Sequence, residues 1–339
     1  MFGWKPLVKI FVCILILLIT AMLYMSPHLN AYHIQPFLWG ESWVLARQPQ
    51  DDVLSLHRQS ITSLGEVKGE DSTSSWEALQ KERRAVVQEE CGRISTNSSL
   101  FQVLQKDPTL KRLLIDDTHQ AIYCFVPKVA STTWKVVWAE LTGRVSISKK
   151  QHETFSWLHS LFNNDIRKEN RQKSDLKHKV SSYTKFLVVR HPFERLLSAY
   201  RDKILVPDNK SFQKGVLSFV KRHRSNATIN DIQWSDFVTY LIEGGYRLNI
   251  HWMPYPKLTY LCTIDYDFIA KYETLVQDSN EILRRIGAPE SLHFPGSQSS
   301  NTKSLLDSYM KMLTKEQIKR LYTIYKTDFT FFQYTYNFE

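Results

Sequence analysis

The sequence predicts an α/β domain, a parallel sheet flanked by helices, carried behind an N-terminal transmembrane helix. Two observations predict the domain: short apolar runs of strand-forming residues, Ala121–Val126 and Phe186–Val189, are each followed at once by a segment of helical period. A third predicts the anchor: an apolar stretch near the N-terminus has lysines on one side only. With 43% hydrophobic and 13% aromatic residues, the 339-residue chain can bury a substantial core, which excludes a mainly disordered protein. Its net charge of +10 points to an anionic partner, without choosing among nucleic acid, acidic lipid, acidic polysaccharide and nucleotide.

Taken in order, the anchor comes first. Ile10 to Met25 is apolar apart from Thr20, and Leu7 and Val8 extend the run past Lys9. That is about 16 to 19 residues, near the lower limit for a spanning helix. A cleaved signal peptide would end in a small-x-small site, which Ala21-Met22-Leu23 does not supply. Lys5 and Lys9 precede the run, and no Lys or Arg follows it until Arg47. The positive-inside bias therefore makes residues 1–9 a cytosolic tail, 10–25 a signal anchor and all that follows lumenal. A short span suits the thin early secretory membranes, so a single-pass type II protein of the Golgi membrane is expected.

A lumenal domain does not meet nucleic acid, which removes that partner. Three sequons, at Asn97, Asn209 and Asn226, are expected glycosylation sites. Outside the anchor the cysteines are Cys91, Cys124 and Cys262, an odd number for an oxidising compartment. Cys124 reads as a core thiol within a strand, and Cys91 with Cys262 is a candidate disulfide. No Cys/His cluster has zinc-ligand spacing, so no metal is expected.

Residues 26–100 read as a lumenal stem, with a loop at Ser72–Ser75 and a polar helical stalk from Glu77 to Glu90. Residues 101–339 read as the globular domain. Ala121–Val126 is a strand ended by Pro127, and Trp134, Val137, Trp138 and Leu141 then follow helical spacing up to Gly143. Phe186–Val189 is a second buried strand, followed by a helix from about Glu194 to Ile204. Trp234–Ile242, Ser279–Ile286 and Thr314–Tyr325 read as later helices.

Two motifs carry the chemistry. The first, Val126-Pro127-Lys128-Val129-Ala130-Ser131-Thr132-Thr133-Trp134-Lys135, spans a strand-to-helix turn. A helix N-terminus offers unpaired N–H groups and the positive end of a dipole, so it is a ready anion site. Lys128 adds a full charge and the three hydroxyls add donors, although those hydroxyls could equally cap the helix. The glycines of a Walker loop are missing, which disfavours a nucleotide kinase. In the second motif Arg190 ends a strand and Ser198 lies eight positions on, inside the next helix. Arginine suits a phosphate because its planar fork donates two hydrogen bonds at once. Arg195, Arg201 and Lys203 have a blander reading, as a solvated helix face paired with Glu194 and Asp202.

Together these segments resemble the sulfotransferases that use 3′-phosphoadenosine 5′-phosphosulfate (PAPS). More closely, five ordered motifs resemble the Golgi carbohydrate sulfotransferases, from about residue 120 to the C-terminus. They are Val126 to Ala130, the Val189 to Lys203 run, His251-Trp252-x-Pro254, Tyr266 to Thr274, and Tyr325-x-x-Asp328-Phe329-x-x-Phe332-x-Tyr334. Two departures stand out: Ser131 replaces a frequent Cys, and a family Cys-x-x-Cys is reduced to Thr259-x-x-Cys262.

The resemblance implies a P-loop-like PAPS-dependent sulfotransferase fold and a PAPS-dependent enzyme. Pro127, Lys128, Val129, Ala130, Ser131, Thr132, Thr133 and Trp134 are then expected at the 5′-phosphosulfate, with Arg190 and Ser198 at the 3′-phosphate. Lys128 is the expected catalytic cation on the leaving oxygen. His152 is the first choice for the base that takes the acceptor's proton, with His159, His251 and Glu153 competing. The implied acceptor is an anionic or N-acetylgalactosamine-containing glycan, on a glycosaminoglycan or glycoprotein, at the 4-hydroxyl of N-acetylgalactosamine. The 3-hydroxyl of glucuronate is the alternative, as is an inactive glycan-binding relative. A lumenal glycosyltransferase shares the topology, but no Asp-x-Asp motif lies between Lys128 and Ser198. The basic runs Ile166–Lys179 and Lys221–Arg224 are candidate tracks for a polyanionic chain.

Overall fold

Both apolar runs are strands. The computed structural model describes residues 71–94, 112–144, 162, 173–206, 209–296 and 302–337, within one compact unit that runs from Lys68 to Glu339. The anchor at 10–25, Asn97, His152, Glu153 and His159 lie outside the described residues. No helix among those described is long and apolar enough to cross a membrane.

The sheet has four strands in sequential order: β1 (Leu113–Asp116), β2 (Ala121–Cys124), β3 (Thr184–Val189) and β4 (Phe268–Lys271). β2, β3 and β4 are parallel neighbours: the pairing of β2 with β3 is the one expected, and β4 has no counterpart among the expected strands. β1 pairs antiparallel with β2, so the sheet is mixed where a parallel one was expected. The reason is the connection: the turn between Asp116 and Ala121, closed by the Thr118 amide donating to Asp116 Oδ1 at 3.0 Å, is too short for a crossover.

Tyr123, Phe186 and Phe268 stand side by side across the three parallel strands. Helix α2 (Ser131–Leu141; α1 is described below) lays Trp134 and Trp138 on this row, with ring centroids 4.8 and 5.9 Å from Phe186. The Trp134, Val137, Trp138, Leu141 face read from the spacing is its buried face. The helix stops where Gly143 adopts φ +66°, a left-handed conformation that favours glycine. The next helices are α3 (Lys173–Ser182), α4 (Pro192–Lys203), α5 (Lys210–Lys221), α6 (Trp234–Ile242), α7 (Tyr255–Thr259) and α8 (Leu275–Arg285). Two more, α9 (Thr302–Met310) and α10 (Lys315–Phe331), follow. Alongside the sheet's core, α4, α5, α6, α9 and α10 form a second apolar cluster that includes Phe193, Leu197, Phe237, Leu241, Tyr325 and Phe329.

The stalk expectation needs correction. Helix α1 (Asp71–Arg93) buries Trp76, Gln80, Arg83 and Val87 against the domain. β4 is the sheet's last strand, and α1 satisfies its outer edge: Gln80 Oε1 accepts from the Ile269 amide at 2.9 Å and Arg83 donates to the Ile269 carbonyl at 2.7 Å. Arg83 also pairs with buried Asp278 at 2.9 Å, and Cys91 is disulfide-bonded to Cys262. The packed body therefore begins well before residue 101. Cys124 is a buried free thiol, as expected.

Candidate active site

Parallel neighbours end on the same side of a sheet, and ligands of α/β folds bind beyond those carboxyl ends. β2 leads there into the Pro127–Ala130 loop and β3 leads into Arg190. The loop has φ +75° at Lys128 and +59° at Ala130, left-handed conformations that Walker loops reserve for glycine. Each costs roughly 1 kcal/mol or more in an L-residue, the kind of strain that concentrates at functional sites. Ala130 is the N-cap of α2, and no side chain caps the helix. The hydroxyls of Ser131, Thr132 and Thr133 are thus not used as caps, and the first-turn N–H groups of these half-buried residues point out of the helix start.

Not every residue of this motif offers its side chain. Val129 and Trp134 are fully buried in the core, and the Trp134 amide is already bonded to the Ala130 carbonyl at 3.0 Å. The contribution of Trp134 is packing, a correction to its expected place among the donor ligands. Pro127 is buried too, and its carbonyl accepts from Arg195 Nε at 3.2 Å.

Lys128 Nζ lies 2.7 Å from Asp202 Oδ2, and the same carboxylate oxygen is 3.1 Å from Lys203 Nζ. Burial pushes the Lys128 amine below its ordinary range, Lys203 and Arg190 add to that, and Asp202 opposes it. Burial raises Asp202, but Lys128 and Lys203 outweigh it and hold the carboxyl below its usual range. Arg190 is buried, with Nη2 3.2 Å from Glu194 Oε2, Nη1 3.5 Å from the Lys128 carbonyl, and its guanidinium 4.1 Å from the Tyr272 ring centre. The two motifs therefore meet. Half-buried Ser198 sits one turn beyond Glu194 on the same face of α4.

Arg195 was open to the reading of a solvated cation paired with Glu194; it is instead 1% exposed. It donates to three carbonyls: Pro127 at 3.2 Å, Met253 at 2.9 Å and Ile250 at 3.0 Å. This guanidinium fastens the segment that carries His251 to the residue next to Lys128. His251 is half-buried, with Nδ1 2.8 Å from Asn249 Oδ1 and its ring edge-on to Phe212 at 4.9 Å. Lys203 Nζ lies 5.0 Å from the centre of the same Phe212 ring. Sequence reasoning missed Asp202 as the partner of Lys128 and Arg195 as a clamp.

The remaining candidates are scattered. In the first basic run Lys179 is tied to Asp117 and Asp175 at 2.8 and 3.1 Å, so it is not a free polyanion contact. Lys221 to Arg224 are exposed, with Arg224 paired to Asp236. Asn226 is exposed, whereas Asn209 is half-buried and donates to the Asp202 carbonyl at 2.6 Å. No cluster of His, Cys, Asp or Glu among the described residues is placed to hold a metal ion.

An uncapped helix start, a lysine and a buried arginine at adjacent strand ends fit a ligand with several anionic groups. The profile of the sulfotransferase family matches residues 111–335, which contain all of this machinery. Carbohydrate sulfotransferase 11 of Rattus norvegicus is 36% identical over 271 residues, 76% of each chain. Carbohydrate sulfotransferase 8 of Mus musculus is 34% identical over 283 residues, 77% of this chain and 66% of the relative. Carbohydrate sulfotransferase 14 of Danio rerio is 32% identical over 269 residues, 76% of this chain and 71% of the relative. No solved structure gives a significant match. With the family profile spanning the sheet and both anion-binding motifs, the chain belongs to the sulfotransferase family, among the carbohydrate sulfotransferases.

Proposed function

We propose that the protein transfers a sulfuryl group from PAPS to a glycan hydroxyl, the 4-hydroxyl of N-acetylgalactosamine in chondroitin- or dermatan-type chains, in the Golgi lumen. The observation that carries the donor half is the meeting of Lys128, the open start of α2 and Arg190 at the ends of β2 and β3. The acceptor position rests on the family resemblance. The lumenal address rests on the N-terminal hydropathy and charge, and the Cys91–Cys262 disulfide is in keeping with an oxidising compartment.

Sulfuryl transfer resembles phosphoryl transfer, so positioning and charge stabilisation do most of the work. The N–H groups and hydroxyls of Ser131, Thr132 and Thr133 hold the 5′-phosphosulfate. Arg190 and Ser198 hold the 3′-phosphate. Lys128 meets the negative charge that develops on the leaving oxygen. Cationic side chains supply that charge in place of a metal. The +10 net charge favours encounter with an anionic glycan.

The test is transfer of labelled sulfate from PAPS to desulfated chondroitin, desulfated dermatan and glucuronate-capped glycans. Lys128→Ala should lower turnover at least ~100-fold, the scale of removing one preorganised donor from developing charge. Arg190→Ala should chiefly raise the KM for PAPS. Near-normal turnover in the lysine variant would sink the donor assignment, and label confined to the glucuronate-capped glycan would sink the acceptor assignment.

A further inference from the structure

We infer that His251 is the general base that takes the proton from the acceptor hydroxyl. The inference rests on the donor site proposed around Lys128. Position comes first. Arg195 bonds the carbonyls of Ile250 and Met253, on either side of His251, and with the same guanidinium bonds the carbonyl of Pro127 beside Lys128. A second chain of contacts closes the circle: Lys128 to Asp202 at 2.7 Å, Asp202 to Lys203 at 3.1 Å, Lys203 to the Phe212 ring at 5.0 Å, and Phe212 to the His251 ring at 4.9 Å. The imidazole is therefore tied to the cationic cluster around Lys128 along two separate routes.

Its tautomer follows from hydrogen-bond polarity. The backbone N–H of His251 and its ring Nδ1 both approach Asn249 Oδ1, at 3.0 and 2.8 Å. A backbone N–H can only donate, so the Asn249 atom is the amide oxygen, and Nδ1 must carry the hydrogen that it gives to that oxygen. The lone pair is left on Nε2, and no group among the described residues is bonded to it. A histidine oriented through one nitrogen and open at the other is the arrangement a base requires.

Electrostatics add a condition on when it acts. Burial lowers His251 to about 3, with Lys203, Lys128 and Arg195 adding to the shift and Asp202 opposing it. An anionic donor seated on Lys128 offsets those cations and raises the basicity of Nε2. His251 is thus neutral in the free enzyme and becomes a stronger base once the donor is bound. In the step itself the acceptor oxygen bonds to sulfur while the bond from sulfur to the 5′-phosphate oxygen breaks. The electron pair leaves on that oxygen against Lys128, and the hydroxyl proton passes to Nε2 and then to solvent.

The experiment measures kcat against pH, PAP affinity and melting temperature for the full chain and for His251→Gln, His251→Ala, His152→Ala and Lys128→Ala. Both His251 variants should lose about 10²- to 10⁴-fold in kcat. Their PAP affinity should stay within threefold of the parent, and the acid limb of the parent's kcat profile should vanish. A kcat within threefold of the parent in either folded variant overturns the inference. So does PAP affinity falling in step with kcat, or the acid limb vanishing in His152→Ala instead. Lys128→Ala with normal transfer would instead indict the donor site, whatever the histidine variants do.

Discussion

Lys128 is held between opposing influences. Burial and the nearby Lys203 and Arg190 favour loss of its proton, and the carboxylate of Asp202 at 2.7 Å favours keeping it. A lysine that stabilises a leaving oxygen works only as the ammonium, so activity is present below its pKa and is lost as pH rises through it. Asp202→Asn removes the main group that supports the charged form. The alkaline limb of kcat/KM should therefore move to lower pH in that variant, and turnover at pH 7 should fall less than in Lys128→Ala. Profiles of the two proteins between pH 6 and 10 decide it, and coincident alkaline limbs would refute the role given to Asp202. The strand-turn-helix motifs made it legible that Lys128 and Arg190 stand beyond the ends of two strands, while the role expected of Ser198 came from the family resemblance. The sequence could not make Asp202 legible, since an aspartate between Arg201 and Lys203 on an amphipathic helix looks like one more surface ion pair. Arg195 was hidden for the same reason: only the fold reveals the three carbonyls that converge on it.

Among the elements, α2, α4 and α6 were legible because their apolar period is their buried face. Helix α1 was legible as a helix but not as part of the domain, because its buried stripe includes Gln80 and Arg83. Those two residues pair with an exposed strand edge, a role that apolar periodicity cannot report. Strands β1 and β4 were missed because each is four residues long and ends in a charged residue, Asp116 or Lys271, whereas the apolar run of β2 continues through Val126. The join of α1 to the sheet centres on Asp278, which accepts from Arg83, Trp76 Nε1, the Lys271 amide and Thr274 Oγ1. Asp278→Ala leaves the Arg83 guanidinium buried without its counter-charge, a change that typically costs about 3–5 kcal/mol. Urea unfolding should show a loss of that order, and a change under about 1 kcal/mol would mean that α1 is only loosely joined. An isolated fragment that starts at residue 101 should be poorly soluble for the same reason, while one that starts at Lys68 should fold.

At the scale of the whole molecule, the site lies where the two apolar cores are tied together. The sheet's core supplies the Pro127–Ala130 loop, and the helical core supplies α4 with Arg195 and Asp202. Polar links join them: Asp328 of α10 accepts from the Tyr255 amide at 2.9 Å, and Arg195 spans from Pro127 to Met253. The covalent tie is elsewhere, between α1 and the segment after α7, and it closes a separation of 171 residues. Cross-linking so long a loop stabilises mainly by restricting the unfolded chain, by about 2–5 kcal/mol. Neither cysteine belongs to the donor machinery, so the loss on reduction should appear in stability rather than in the chemical step. Cys91→Ser/Cys262→Ser should melt roughly 5–15 °C below the parent, and the parent in reductant should fall to the variant's value. At 25 °C the folded variant should keep its KM for PAPS and most of its kcat. Equal melting temperatures with and without reductant would show that the bond adds nothing to the fold. A lost donor site in the variant would show instead that α1 and its disulfide reach into catalysis.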